Sequence, residues 1–272
     1  MGGPAPSLFC GLPKQRHRMA VFVCGLDETA GRNTRDRFLM AGFVAPEEHW
    51  SSEIAPAWQS RVLDGPPLIP YLHMTEMRSS KWREEHGITK DEADARIDAA
   101  IDVIDKSQSL FPIGMNVDAG LVRDALRGMK IVHPAGGSAP LDPDYVCFLG
   151  YSYLVLLYVA QTYPDVEKVD FVIERNGRIT KYIQAFHAGL SQALQSLDLP
   201  HAARLVGEIL PAGKDRVPLQ IADLLCWHTA RARETMDELD SRRYAKLARR
   251  RGINESLTPE QIKELASSLT IL

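Results

Sequence analysis

The apolar positions of this chain fall into two alternating kinds of run. Short runs come first: Met19-Ala-Val-Phe-Val-Cys-Gly25 is apolar and partly β-branched, which predicts a buried strand. Arg37 to Ala45 predicts a second strand through FLMAGFVA. Glu53 to Leu63 predicts a short helix, Gly65-Pro66-Pro67 a break, and Leu68 to Met74 a further strand or extended segment. Thr89 to Ser107 has the period of an amphipathic helix, with Ala93, Ile97, Ala100, Ile101 and Ile104 on one face. Thr89 can cap it, and Asp91 and Glu92 suit its positive end.

The same alternation continues to the end of the chain. Strands are predicted at Leu110 to Val117, Val169 to Glu174 and Arg204 to Leu210. Helices are predicted at Val122 to Arg127, Asp144 to Thr162, Ile179 to Ser196 and Pro218 to Leu239. Pro218 sits in a first turn, where its missing N–H costs nothing. Thr258-Pro259-Glu260-Gln261 reads as a capped helix start. Residues 1–18, rich in Gly, Pro and basic side chains, read as a flexible leader. Strands followed by helices predict an α/β fold with a mixed sheet.

Composition narrows this picture. Of 272 residues, 45% are hydrophobic and 25% charged, and 32 Lys+Arg face 35 Asp+Glu for a net charge of -3. Such values exclude wholesale disorder and a collagen-like chain. Cys10, Cys24, Cys147 and Cys226 form no C-x-x-C pair, so neither a disulfide scaffold nor a structural zinc is expected. His133-Pro-Ala-Gly-Gly-Ser-Ala-Pro140 lacks the Lys-Ser/Thr of a phosphate loop. No apolar run reaches the roughly 18 residues of a membrane span, and the N-terminus lacks signal-peptide order. A cytoplasmic protein without membrane contact is the default expectation.

Three carboxylates stand where a fold alone would not ask for them. Asp27 ends the first strand and Glu174 ends VDFVIE. Asp223 lies inside PLQIADLLCWH, where Leu219, Ala222, Cys226 and Trp227 place it on an apolar face. A buried carboxylate must be protonated, paired or bound to a cation. Ligands gather at the carboxyl ends of strands in α/β sheets, and Mg²⁺ is held by one or two carboxylates with waters and phosphates. Asp27, Glu174 and Asp223 are therefore the candidate ligands of a Mg²⁺ or Mn²⁺ centre.

LDETAG at 26–31 together with PLQIADLLCWHTAR at 218–231 resembles the bacterial family called domain of unknown function 3800, which is grouped with ribonuclease H-like proteins. Leu219, Gln220, Ala222 and Asp223 match its late-helix motif. Asp27 and Glu28 match its first, with Thr29-Ala30-Gly31 in place of Ser-Gly. The resemblance spans roughly residues 19–235 and implies a five-stranded mixed sheet flanked by helices; in this chain an insertion over about 46–108 and a helical basic extension at 236–272 are expected in addition. It implies that Asp27 and Asp223 hold metal, with Glu174 standing where an Asp is usual. Glu76 is chosen as a fourth acid, with Glu28 and Asp215 as competitors. His73 is a candidate proton shuttle, while His187 and His228 read as structural.

Residues 231–251 hold eight Lys/Arg and four acids, a local charge of +4. Arg242, Arg243, Lys246, Arg249 and Arg250 are therefore expected to meet a phosphate backbone. Two functions follow. One is a metal-dependent nuclease acting on RNA or DNA. The other is a non-catalytic nucleic-acid-binding or protein-interaction module, such as a defence or toxin–antitoxin component. A phosphotransferase is a weaker third.

Overall fold

The computed structural model describes residues 19–25, 37–132, 138–140, 142–175, 190, 194–195, 199–232 and 236–269. The leader, Asp27, Glu28, His187 and most of the expected helix Ile179 to Ser196 lie outside them.

A mixed sheet organises the chain. Its strands are β1 (Met19–Gly25), β2 (Arg37–Pro46), β3 (Phe111–Asp118), β6 (Val169–Glu174), β7 (Val206–Ala212) and β8 (Ile253–Ser256). Across the sheet the order is β7-β6-β1-β2-β3-β8. β2 pairs antiparallel with β1 and β3, and the remaining pairs are parallel. Hence β2 alone runs against the others. The carboxyl ends of β1, β6 and β7 share one edge. Lys130–Val132 (β4) and Ser138–Pro140 (β5) form a separate antiparallel pair.

The expected α/β class with a mixed sheet is present, but six strands stand in the main sheet rather than five. The extra one, INES, is short and mostly exposed, so it carries no alternating apolar signal. Its place on the edge depends on a distant partner. Asn116 Nδ2 donates to Asn254 Oδ1 at 3.0 Å and to the Glu255 carbonyl at 3.2 Å.

Each face of the sheet carries its own core. On one face, α6 (Pro143–Thr162) packs Val146, Phe148, Tyr151, Val155 and Val159 against Met40, Met115 and Phe171. Gly150 permits this approach, because a Cβ there would lie 2.9 Å from the Met115 Cε. This helix has 20 residues and is long and apolar enough to cross a membrane by length and composition. It corrects the expectation that no stretch reaches that length. Half of that stretch is buried within the protein, against the sheet.

On the other face, β2 turns Leu39, Ala41, Phe43 and Ala45 toward α8 (Val217–Arg231). The helices between β2 and β3 complete that layer. They are the helical stretch 47–63 (α1), which mixes α and π turns, then α2 (Met74–Arg78), α3 (Ser80–Glu85) and α4 (Lys90–Lys106). α4 begins with the expected capping box: Thr89 accepts from Glu92 N, and Glu92 Oε2 accepts from Thr89 N at 2.8 Å. α5 (Ala119–Ala125) and α7 (Pro200–Arg204) are short.

Two expected elements differ. Leu68 to His73 forms neither helix nor strand and pairs with no strand among the described residues, and Met74 already opens α2. Pro66, Pro67 and Pro70 remove ladder donors. Arg96, 7% exposed, donates instead to the carbonyls of Val62, Gly65 and Pro67. The helix expected from Pro218 to Leu239 ends at Arg231, and α9 (Glu238–Ala248) starts afresh. Asp237 caps that start by accepting from Asp240 N at 2.8 Å. The chain then forms β8 and α10 (Pro259–Leu269), where Thr258 N donates to Gln261 Oε1 at 2.8 Å as the motif predicts.

Candidate functional site

α8 begins the site. Within its Leu-Gln-x-Ala-Asp stretch, Gln220 and Asp223 reach out of the helix toward the segment before α2. Gln220 is buried and braces three segments. Its Oε1 accepts from Trp58 Nε1 at 2.8 Å and from Leu72 N at 3.0 Å, and its Nε2 donates to the Asp215 carbonyl at 3.2 Å. Asp223 is 16% exposed, and its Oδ2 accepts from Met74 N at 2.7 Å. The carboxylate thus takes one of the free N–H groups at the start of α2.

His73 is the residue before α2, in extended conformation. Its Nε2 stands 3.7 Å from Asp223 Oδ1, and its Nδ1 stands 4.0 Å from Glu76 Oε1. Both distances exceed a hydrogen bond, so the ring sits between two carboxylates without being fixed to either. Glu76 follows one helical turn later, and its Oε1 accepts from Lys214 Nζ at 3.1 Å.

Strand register delivers Glu174 and Lys214 to the same place. Glu174, at the end of β6, pairs with Ala212 at the end of β7. Two residues beyond Ala212 is Lys214, in the turn that leads to α8. Leu72, His73, Glu174, Lys214, Leu219, Gln220 and Asp223 line one small cavity of about 10 Å³, roughly the space of a single water. It lies at the edge where β1, β6 and β7 end.

Charge in the cavity is mixed. Burial pushes the Asp223 carboxyl above its ordinary range and the charge of Glu174 adds to this. The proximity of His73, the Met74 N–H and Lys214 work against it. Burial alone would pull Lys214 down, but the hydrogen bond to Glu76 and the negative charges of Glu76 and Glu174 together raise it. Tyr71 is raised by burial and by its hydrogen bond to Glu76.

The structure therefore brings Asp223, Glu174, His73 and Glu76 together. Asp27 lies outside the described residues, two positions beyond Gly25 at the end of β1. Asp215 is exposed and contributes its carbonyl to Gln220. Lys214 and Tyr71 were not singled out by sequence. A lysine in a turn has no distinguishing pattern, and only the β6–β7 register reveals its neighbours.

Among the described residues no group of three or more His, Cys, Asp or Glu is arranged to hold a metal ion. The two carboxylates lining the cavity do match the one or two that a Mg²⁺ site uses, with water and substrate oxygens supplying the rest. Asp223 Oδ1, which takes no backbone N–H, is the oxygen such an ion would use.

The basic C-terminal segment needs correction. Arg243 is 2% exposed and its guanidinium is spent on Asp98 Oδ1 at 2.7 Å, Asp94 Oδ1 at 2.8 Å and Asp240. Arg250 donates to the carbonyls of Ile104, Ser107 and Leu110, closing the end of α4. Lys246 pairs with Asp102 at 3.0 Å. Of the five, Arg242 and Arg249 stand exposed on α9 or just after it, with no such partner among the described residues. Sequence charge density did not separate cations facing solvent from those that hold α9 to α4.

Comparison with family models, with curated proteins and with solved structures found no match.

Proposed function

We propose that this chain is a metal-dependent phosphodiester hydrolase, a nuclease acting on RNA or DNA, with a ribonuclease H-like arrangement resembling domain of unknown function 3800. The observation that carries the reading is the convergence of a largely buried Asp223 with Glu174 and His73 on one cavity at the strand-end edge. The order β3-β2-β1-β6-β7, with an antiparallel meander followed by two parallel strands, supports the architectural part.

Asp223 and Glu174, with Asp27 two residues beyond the end of β1, are the residues that would hold Mg²⁺ or Mn²⁺. Bound there, such an ion would supply positive charge near the reacting phosphate and a water of lowered pKa. The protein's own contribution is positioning. Met74 N–H fixes one oxygen of Asp223, Gln220 ties α8 to the segment that carries His73, and the imidazole of His73, 3.7 Å from Asp223 Oδ1, is the group proposed to take a proton.

A second reading, a non-catalytic nucleic-acid-binding or protein-interaction module, is favoured by one observation. Lys214 already compensates Glu76 and faces Glu174, so part of the acidic charge is balanced within the protein.

Cleavage of labelled RNA, DNA and hybrid substrates with Mg²⁺ or Mn²⁺ separates the two. Asp223→Asn is expected to lower metal-dependent cleavage by about 100-fold or more, as loss of a main electrostatic group does. Equal cleavage by the variant, or none by the unaltered protein, overturns the nuclease reading.

A further inference from the structure

Substrate approach poses an electrostatic problem at this site. A phosphodiester brings negative charge toward Asp223, Glu174 and Glu76, and like charges repel it. Among the described residues lining the cavity, Lys214 alone carries a permanent positive charge.

We propose that Lys214 is the phosphate-anchoring residue of the site, exchanging its Glu76 partner for a backbone phosphate oxygen of the nucleic acid. The inference rests on the nuclease reading for its substrate class.

Three observations carry it. First, the turn holding Lys214 is fixed at both ends. Arg175 N donates to the Ala212 carbonyl at 2.9 Å, and Arg216 N donates to the Gly213 carbonyl at 3.1 Å. The backbone is thus set while the side chain, 35% exposed, remains free to swing. A lysine is a compact charge on a flexible stem, which suits a partner exchange of this kind. Second, among the described residues its side chain hydrogen-bonds to Glu76, which is 23% exposed, rather than to the more deeply placed Asp223, 16% exposed. Third, Arg175 and Arg216 are both exposed, one directly following Glu174 and the other two residues after Lys214. Three cations therefore mark the strand-end edge. Arg243, Lys246 and Arg250, which the local charge suggested for the backbone, are engaged within the fold.

The test uses the full chain and fluorescein-labelled single-stranded and duplex oligonucleotides, followed by anisotropy over a range of salt. Binding is measured in Ca²⁺ and separately in chelator, so that cleavage does not enter. Lys214→Met is expected to weaken binding several-fold and to reduce the slope of log K against log salt by about 0.7 to 0.9, the loss of one phosphate contact. Lys214→Arg is expected to restore most of both. Glu76→Gln, which frees Lys214, is expected to bind at least as well as the unaltered protein.

An unchanged affinity and slope for Lys214→Met overturns the inference. So does a Glu76→Gln variant that reproduces the loss, since Lys214 would then act only through Glu76. Absence of binding by the unaltered protein under both conditions also overturns it. A Lys214-dependent slope in a protein that cleaves nothing sustains the anchor and removes the nuclease reading, so the two failures are distinct.

Discussion

At the residue scale, burial acts on His228 and Asp223 with opposite consequences. His228 is fully buried, and its Nδ1 lies 2.9 Å from the Leu224 carbonyl, which can only accept. The proton is therefore on Nδ1, and Nε2 finds no hydrogen bond among the described residues. Burial lowers its pKa to about 4. A depressed histidine favours folding above its unfolded value near 6.5, and that contribution is lost as pH falls toward the folded value. Urea unfolding should show stability falling from about pH 6.5 downward, by about 3 kcal/mol in total. The slope should be shallower in His228→Gln. Asp223 is raised by burial, so its charge opposes folding at neutral pH. Asp223→Asn keeps an oxygen for Met74 N–H and should leave the melting temperature unchanged or higher while cleavage falls. A marked drop in melting temperature would instead identify Asp223 as a structural acid. The oddness of this acid was legible, because its helical neighbours are apolar. The partner of its Oδ2, a backbone N–H 149 residues earlier, was not.

At the element scale, α8 shows how one motif divides its labour. The spacing of Leu219, Gln220, Ala222 and Asp223 is local and could be read directly. What Gln220 does is long-range: one oxygen serves Trp58 of α1 and Leu72 before α2. Gln220→Leu should cost about 2 to 4 kcal/mol, since two buried donors lose their acceptor. Denaturant midpoints measure that cost. Cleavage should fall as well, because the segment carrying His73 loses its brace. The starts of helices α4 and α10 were legible from their capping residues, which act within four positions. β8 was not, because its four residues gain their place only from Asn116 and the β3 edge.

At the scale of the whole molecule, an ion network centred on the buried Arg243 and Asp240 joins the site layer to the C-terminal segment. Arg78, at the end of α2, meets Asp94 of α4 and Asp240 of α9, and Arg243 of α9 meets Asp94, Asp98 and Asp240. Removing one member leaves charges uncompensated away from water. Arg243→Met should therefore destabilise by roughly 3–5 kcal/mol, whereas Arg249→Met, on an exposed side chain, should stay within about 0.5 kcal/mol. Chemical denaturation of the two variants checks the contrast. By itself the sequence determined the alternation of strands and helices, the starts of α4, α6, α8 and α10, and the misplaced acids Asp223 and Glu174. These follow from periodicity, capping and local polarity, which operate over a few residues. Only the tertiary structure decided that INES completes a sheet, that Arg243 and Arg250 belong to the fold, and that Lys214 is the cation of the acid site. A charge takes its role from the partner that meets it, and here those partners lie about 140 residues away in the chain.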